Sequence, residues 1–170
     1  MFNKGELGYW KKTLCNFFAS GFYSGYIPFA PGTWGTVVGL ILAIFAHTLC
    51  PGFWQSAYAA FFVAVFIAFS ILVSDRACQY QLYLNENKAK DPKQVVIDEI
   101  AGYFVAILFV EVSTAIFIAA FLLFRLFDIG KPPPIRQLER LGGGLGITLD
   151  DVVAGIFTNI AIRIIVYGFL

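Results

Sequence analysis

"TLCNFFASGFYSGYIPFAPGTWGTVVGLILAIFAHTLCPGFWQSAYAAFFVAVFIAFSILVS", Thr13 to Ser74, runs for 62 residues without an Asp, Glu, Lys or Arg. A water-soluble domain has no interior that can hide so long an uncharged, mostly apolar stretch, whereas a bilayer accepts it readily. The composition of the whole 170-residue chain agrees, with 59% hydrophobic and only 14% charged residues, against about 25% charged in ordinary soluble domains. Backbone groups in hydrocarbon must be satisfied within the segment, so the spans are expected to be helices. The sequence therefore predicts an all-α fold: one polytopic integral membrane helical bundle over residues 1–170.

Apolar runs and their punctuation predict about five transmembrane helices, near residues 34–50, 57–74, 92–110, 114–129 and 148–169. For the third, Asp91 is an expected cap and Pro92 suits a first helical turn. Its 19 residues would reach about 28 Å, close to the hydrocarbon thickness. The fifth is expected to start at Thr148, because "TLDD" has the capping-box form with Asp151 three residues on. "KPPP" at Lys131–Pro134 stops the fourth. Between Leu14 and Thr33 the chain is apolar but broken by glycines and two prolines. This N-terminal segment, within residues 1–33, is expected to be interfacial or re-entrant rather than one continuous helix.

With five spans, eleven of the twelve Lys and Arg residues fall on one side or at its membrane edge, leaving only Arg163 near the other end. The positive-inside rule puts that charged face in the cytoplasm. A net charge of +1 argues against a nucleic-acid partner, which would need a basic excess. Cys15, Cys50 and Cys78 have no metal-site or disulfide spacing and read as small packing residues. His47 is the one histidine, expected to pack or to sit at an interface.

Acids inside apolar runs are the informative residues. Asp98 and Glu99 would lie about 9–10 Å inside the third helix, where a carboxylate is costly unless paired, protonated or bound to a cation. A helix whose first turns stand in water is the bland alternative. Asp150 and Asp151 have one too, since a capping box and the helix dipole explain both. Asp98 precedes Gly102 by four residues and Asp151 precedes Gly155 by four. Each pair puts a carboxylate and a bare backbone patch on one helix face, open to a neighbouring helix, a ligand or a metal. Arg125 and Asp128 share a face at the end of the fourth helix, with Lys131 beyond. These groups could form a salt-bridged belt or a site.

Oxygen-only acids suit Mg²⁺ or a similar hard cation rather than zinc. Arg and Lys beside them suit a phosphate. Together, at a membrane boundary, they point to a phosphorylated lipid head group. No Cys is followed six positions later by Arg, no second histidine exists, and no Asp-x-Asp-x-Thr segment is present. Metal-assisted attack on phosphorus remains. The Gly142–Gly146 run lacks the Lys-Ser/Thr ending of a nucleotide loop and is expected to be a pliable turn. "APGTWGT", Ala30–Thr36, offers either backbone N–H groups and the Thr33 hydroxyl to a phosphate, or a rigid turn.

Four motifs in register, "GYIPFAPGTWGT" (Gly25–Thr36), "IDEIAGY" (Ile97–Tyr103), "FRLFDIGKPPPI" (Phe124–Ile135) and "GGGLGITLDDVVAG" (Gly142–Gly155), resemble those of the phosphatidylglycerophosphatase A family. The resemblance covers about Ser20 to the end of the chain. It implies a Mg²⁺-dependent multi-pass lipid phosphatase of the bacterial cytoplasmic (inner) membrane, its active site facing the cytoplasm. The expected substrate is phosphatidylglycerophosphate, converted to phosphatidylglycerol and phosphate in phospholipid biosynthesis. Asp98, Glu99, Asp128, Asp150 and Asp151 are then the expected catalytic acids and metal ligands, with Arg125, Lys131, Arg136 and Thr33 on the substrate phosphate. The alternatives are another lipid head-group phosphotransferase, or a non-enzymatic transporter or assembly subunit with an ion path.

Overall fold

The computed structural model describes residues 4–84, 93–138 and 141–168. Among these the chain forms seven helices and no strand: α1 (Lys4–Ala19), α2 (Pro31–Leu49), α3 (Ala57–Leu84), α4 (Ile97–Ala106), α5 (Thr114–Gly130), α6 (Ile135–Leu138) and α7 (Gly143–Tyr167). By length and composition, two segments are apolar enough to cross a membrane, Pro31–Leu49 and Ala57–Gln79.

The N-terminal segment breaks later and more sharply than expected. Helix α1 runs to Ala19, so the first part of Leu14–Thr33 is helical after all. The break follows at Gly21, Phe22 and Tyr23, all with positive φ. The Ser20 hydroxyl closes it, donating to the Asn16 carbonyl at 2.6 Å and accepting the Tyr23 N–H at 3.1 Å. Pro31 then opens α2, where its missing N–H costs nothing.

The second span was expected to end at Ser74, yet α3 continues to Leu84. Asp75 and Arg76 can end an apolar run without ending a helix, since neither residue breaks helical geometry. The fourth expectation holds closely: Ser113 caps α5 by accepting the Ile116 N–H at 3.3 Å. Lys131, in the left-handed region at φ 41°, closes the other end.

The third and fifth expectations are corrected, in opposite directions. Asp91 and Pro92 lie outside the described residues. The helix itself covers only Ile97–Ala106, about 15 Å at 1.5 Å per residue. Its start is delayed because Val96 is not helical (φ −140°, ψ 8°) and its N–H donates to the Ala19 carbonyl at 2.8 Å. Asp98 and Glu99 therefore occupy the first turn of α4, not a point two turns inside. Helix α7 begins at Gly143, so the glycine run forms its first turn instead of a free turn, and Thr148 is no cap. Thr148 is buried inside the helix and its hydroxyl meets that of Ser70 at 3.1 Å. Asp150 and Asp151 consequently stand well inside α7, which removes the capping explanation for them.

Helix α4 can be short because protein surrounds it. Eight of its ten residues are buried, and it packs against α2, α3, α5 and α7. Buried non-helical backbone is tolerated where protein groups satisfy it. Here the Asn159 side chain donates to the carbonyls of Val105, Ala106 and Leu108 at 3.3, 3.0 and 2.8 Å. Arg163 donates to Asn159 Oδ1 at 2.8 Å and to the Phe109 carbonyl at 2.7 Å. Arg163 thus caps the end of α4 rather than snorkelling away from it. On the outside of the bundle, Ile41 and Phe45 of α2, Phe61 and Leu72 of α3, Leu122 and Leu126 of α5, and Ile160 and Ile164 of α7 are exposed.

Candidate functional site

The charged residues of four segments line one cavity of about 330 Å³. Ala30–Gly32 come from the start of α2, and Lys93, Asp98 and Glu99 from the lead-in and first turn of α4. Arg125, Asp128 and Lys131 come from the end of α5, and Asp150 and Asp151 from α7. The cavity thus gathers all five candidate acids and two of the candidate cations.

Asp98, Glu99 and Asp151 form its acidic centre: each presents an oxygen, all within 4.8 Å of one another. Asp98 is only 5% exposed and Asp151 3%. The first turn of α4 suits carboxylates because the unpaired N–H groups there carry partial positive charge. Even so, Asp98 Oδ1 and Glu99 Oε2 are buried without a hydrogen-bond partner. Buried polar atoms are nearly always satisfied, so two orphaned carboxylate oxygens beside a third acid mark a place for a cation or a proton.

The cations are organised differently. Arg125 Nη1 pairs with Asp128 Oδ2 at 2.5 Å and reaches the Thr36 hydroxyl at 3.4 Å. Lys131 Nζ donates to Asp150 Oδ2 at 2.8 Å, and Asp150 Oδ1 accepts the Asp151 N–H at 3.1 Å. Asp128 and Asp150 therefore hold Arg125 and Lys131 facing the acidic centre. Five carboxylates meet three cations here; with every acid ionised, two negative charges are left over, which one divalent cation would cancel.

Gly32 lets the chain come close, because a Cβ there would meet the Glu99 carboxylate and displace it from its present place. The bare N-terminus of α2 is thereby brought against the cavity, its second residue among those whose N–H groups have no intrahelical acceptor. Ala30 (φ 50°) and Lys131 (φ 41°), both in the left-handed region, line the same cavity. Non-glycine residues held there are costly and cluster at functional sites.

Two candidates fall elsewhere. Thr33 does not line the cavity, and its N–H turns back to the Ala30 carbonyl at 2.9 Å. Arg136 is exposed on α6, also outside the lining. Sequence reasoning passed over Lys93 and Gly32 in the lining, and Thr36 behind it, which meets Arg125 at 3.4 Å. For Lys93 the signal was a basic residue five positions before Asp98; Thr36, three positions after Thr33, carries no such mark. His47 stands in another cavity, with Gln55, Phe109 and Glu111, edge-on to the Phe117 ring at 5.8 Å.

The described site sits wholly within residues 17–166, which match the profile of a family described as phosphatidylglycerophosphatase A. A Haemophilus influenzae protein named phosphatidylglycerophosphatase A is 37% identical over 155 residues, covering 89% of this chain and 88% of its own. An Escherichia coli protein of the same name is 32% identical over 147 residues, covering 82% and 76%. A Bacteroides thetaiotaomicron protein, provisionally named a phosphatidylinositol-3-phosphatase, is 36% identical over 148 residues, covering 85% and 89%. No solved structure matches the chain. With the site and almost the whole bundle inside the matched region, the chain belongs to the phosphatidylglycerophosphatase A family.

Proposed function

We infer that the chain is a membrane-embedded phosphoric monoester hydrolase that converts phosphatidylglycerophosphate to phosphatidylglycerol and inorganic phosphate in phospholipid biosynthesis. The observation that carries this reading is the cavity itself, in which orphaned acids and carboxylate-held cations face one another inside the family-matched region.

The exposed apolar outer faces of α2, α3, α5 and α7 support a bundle set in lipid, because soluble proteins rarely leave such faces bare. In that setting α4 is an enclosed half-length helix, and the chain is multi-pass. The gathering of Lys and Arg toward the cavity end, with Arg163 near the opposite one, supports a cytoplasmic-facing site in a bacterial inner membrane.

The donor set fits a hard divalent cation such as Mg²⁺: three clustered oxygens, no Cys or His, and a two-charge deficit. Asp98, Glu99 and Asp151 would hold it. When bound, such an ion supplies positive charge to the phosphoryl oxygens and lowers the cost of deprotonating water. The chain's own residues do the rest. Arg125 and Lys131, kept in place by Asp128 and Asp150, draw the phosphate oxygens in and offset the charge that builds on them in the transition state. The α2 N-terminus adds a favourable dipole beside them. Water forms the new P–O bond as the bond to the glycerol oxygen breaks. A carboxylate of the centre takes the water proton and passes it to the departing glycerol oxygen, which leaves as the alcohol.

The Bacteroides relative's name motivates a second substrate, phosphatidylinositol 3-phosphate. Both lipids carry a phosphodiester and a phosphomonoester on carbons one and three of the head group. Purified protein in detergent micelles tests both readings by phosphate release, with and without a chelator. The expected result is metal-dependent release from phosphatidylglycerophosphate, faster than from the inositol lipid, and its loss in Asp98→Asn and Asp151→Asn. Undiminished turnover in both variants would overturn the assigned site.

A further inference from the structure

The head-group phosphatase reading, on which this inference rests, accounts for one phosphate of a substrate that has two. The terminal monoester must reach the buried acids, whereas the acyl chains cannot enter a charged cavity of about 330 Å³. The internal phosphodiester, which lies between them, must therefore sit at the mouth. Lys93 is there. It lines the cavity, is exposed, and makes no ion pair among the described residues, unlike Arg125 and Lys131. Its position is anchored, because three residues on the Val96 N–H is bound to the Ala19 carbonyl at 2.8 Å. We propose that Lys93 is a second anion subsite, which binds the internal phosphodiester of the lipid head group and selects substrates bearing it.

A lysine suits this role, since a flexible point charge tolerates the geometry of a diester that does not react. Depth along the cavity then matches order along the substrate: acids at the bottom on the monoester, Lys93 at the mouth on the diester. The ligand chemistry is common to a glycerophosphate and an inositol phosphate head group, so both lipids serve as probes.

In micelles, Lys93→Met should raise KM about tenfold, equivalent to about 1.4 kcal/mol, with kcat within about twofold, and Lys93→Arg should restore most of the affinity. Inhibition by inorganic phosphate, which fills only the monoester pocket, should be unchanged in Lys93→Met. An unchanged KM in Lys93→Met with active wild type would overturn this inference alone, as would a parallel loss of affinity for inorganic phosphate. If wild type releases phosphate from neither lipid, the parent reading fails and this one falls with it.

Discussion

Removing one acid from the cavity should stabilise the protein while destroying its activity. Asp98 is 5% exposed and its Oδ1 has no partner. It belongs to a set of five carboxylates facing three cations. An uncompensated buried charge costs several kcal/mol, and Asp98→Asn keeps the shape while removing one such charge. Allowing for the new amide's own unmet donors, the gain is about 2 kcal/mol, which for a chain of this size is roughly 4–8 °C in Tm. A cation bound only by the folded state adds about 2.7 kcal/mol at one hundred times its Kd. Wild type should gain that increment and the variant should lose most of it. Thermal unfolding in micelles, with chelator and then with saturating Mg²⁺, reads both effects. The expected pattern is a higher Tm for Asp98→Asn in chelator, little further rise with Mg²⁺, and turnover reduced about 10²–10³-fold. A lower Tm in chelator together with a full Mg²⁺ shift would refute both the charge balance and the ligand assignment.

Three further outcomes follow from the packing. Gly102→Ala places a Cβ 2.6 Å from the Asp151 carbonyl oxygen and 2.7 Å from the Phe124 ring; it should cost about 1–3 kcal/mol and lower kcat, read by denaturation and turnover on one preparation. Asn159→Ala removes the amide donor from the Ala106 carbonyl and leaves that of Leu108 only the 3.4 Å contact from Arg163, so unfolding in micelles should show a loss of about 2 kcal/mol. Arg125→Ala removes a cation facing the acids and should reduce kcat/KM about a hundredfold, whereas Arg136→Ala, exposed on α6, should change it less than about threefold; equal losses would restore Arg136 to the phosphate site.

What could be read in the sequence was what depends on residue type. Uncharged Thr13–Ser74 announced long apolar helices, of which Pro31–Leu49 and Ala57–Gln79 have the length and composition to cross a membrane, "KPPP" ended α5, and acids in apolar runs pointed to the cavity that gathers all five. Positions relative to helix ends could not be read, because tertiary contacts set them. The Val96 N–H taken by Ala19 shortens α4, and Ser70 meeting Thr148 holds α7 helical through a stretch that looks like a start signal. Arg163 looked like an interfacial charge because its partners besides Asn159 are backbone carbonyls, which sequence does not mark. The same blindness put Thr33 in the site: Thr36, three positions on and itself outside the cavity lining, is the threonine on the side of α2 that meets Arg125.

The two Asp-x-x-x-Gly spacings prove to be halves of one joint. Asp98 meets Asp151 in the acidic centre, Gly102 lies against the backbone of Asp151 and Gly155, and the Ala106 carbonyl takes its hydrogen bond from Asn159. Each of the partners 98 and 151, 102 and 155, 106 and 159 differs by the same 53 positions. A constant offset means that α4 and α7 run in the same direction, meeting once per turn along the i, i+4 row. In a parallel pair, a carboxylate one turn before the glycine on each helix falls on the same side of the crossing. The acids are therefore brought together by backbone contact rather than by attraction between side chains that repel. The glycines set how near the helices come, and the Asn159–Arg163 clasp sets how far along each other they sit. A slip of one turn would carry Asp151 about 6 Å along α4, more than the 4.8 Å across which the three acids now gather. A site built from like charges needs such a joint, because Asp98, Glu99 and Asp151 repel one another until a cation or a proton comes between them.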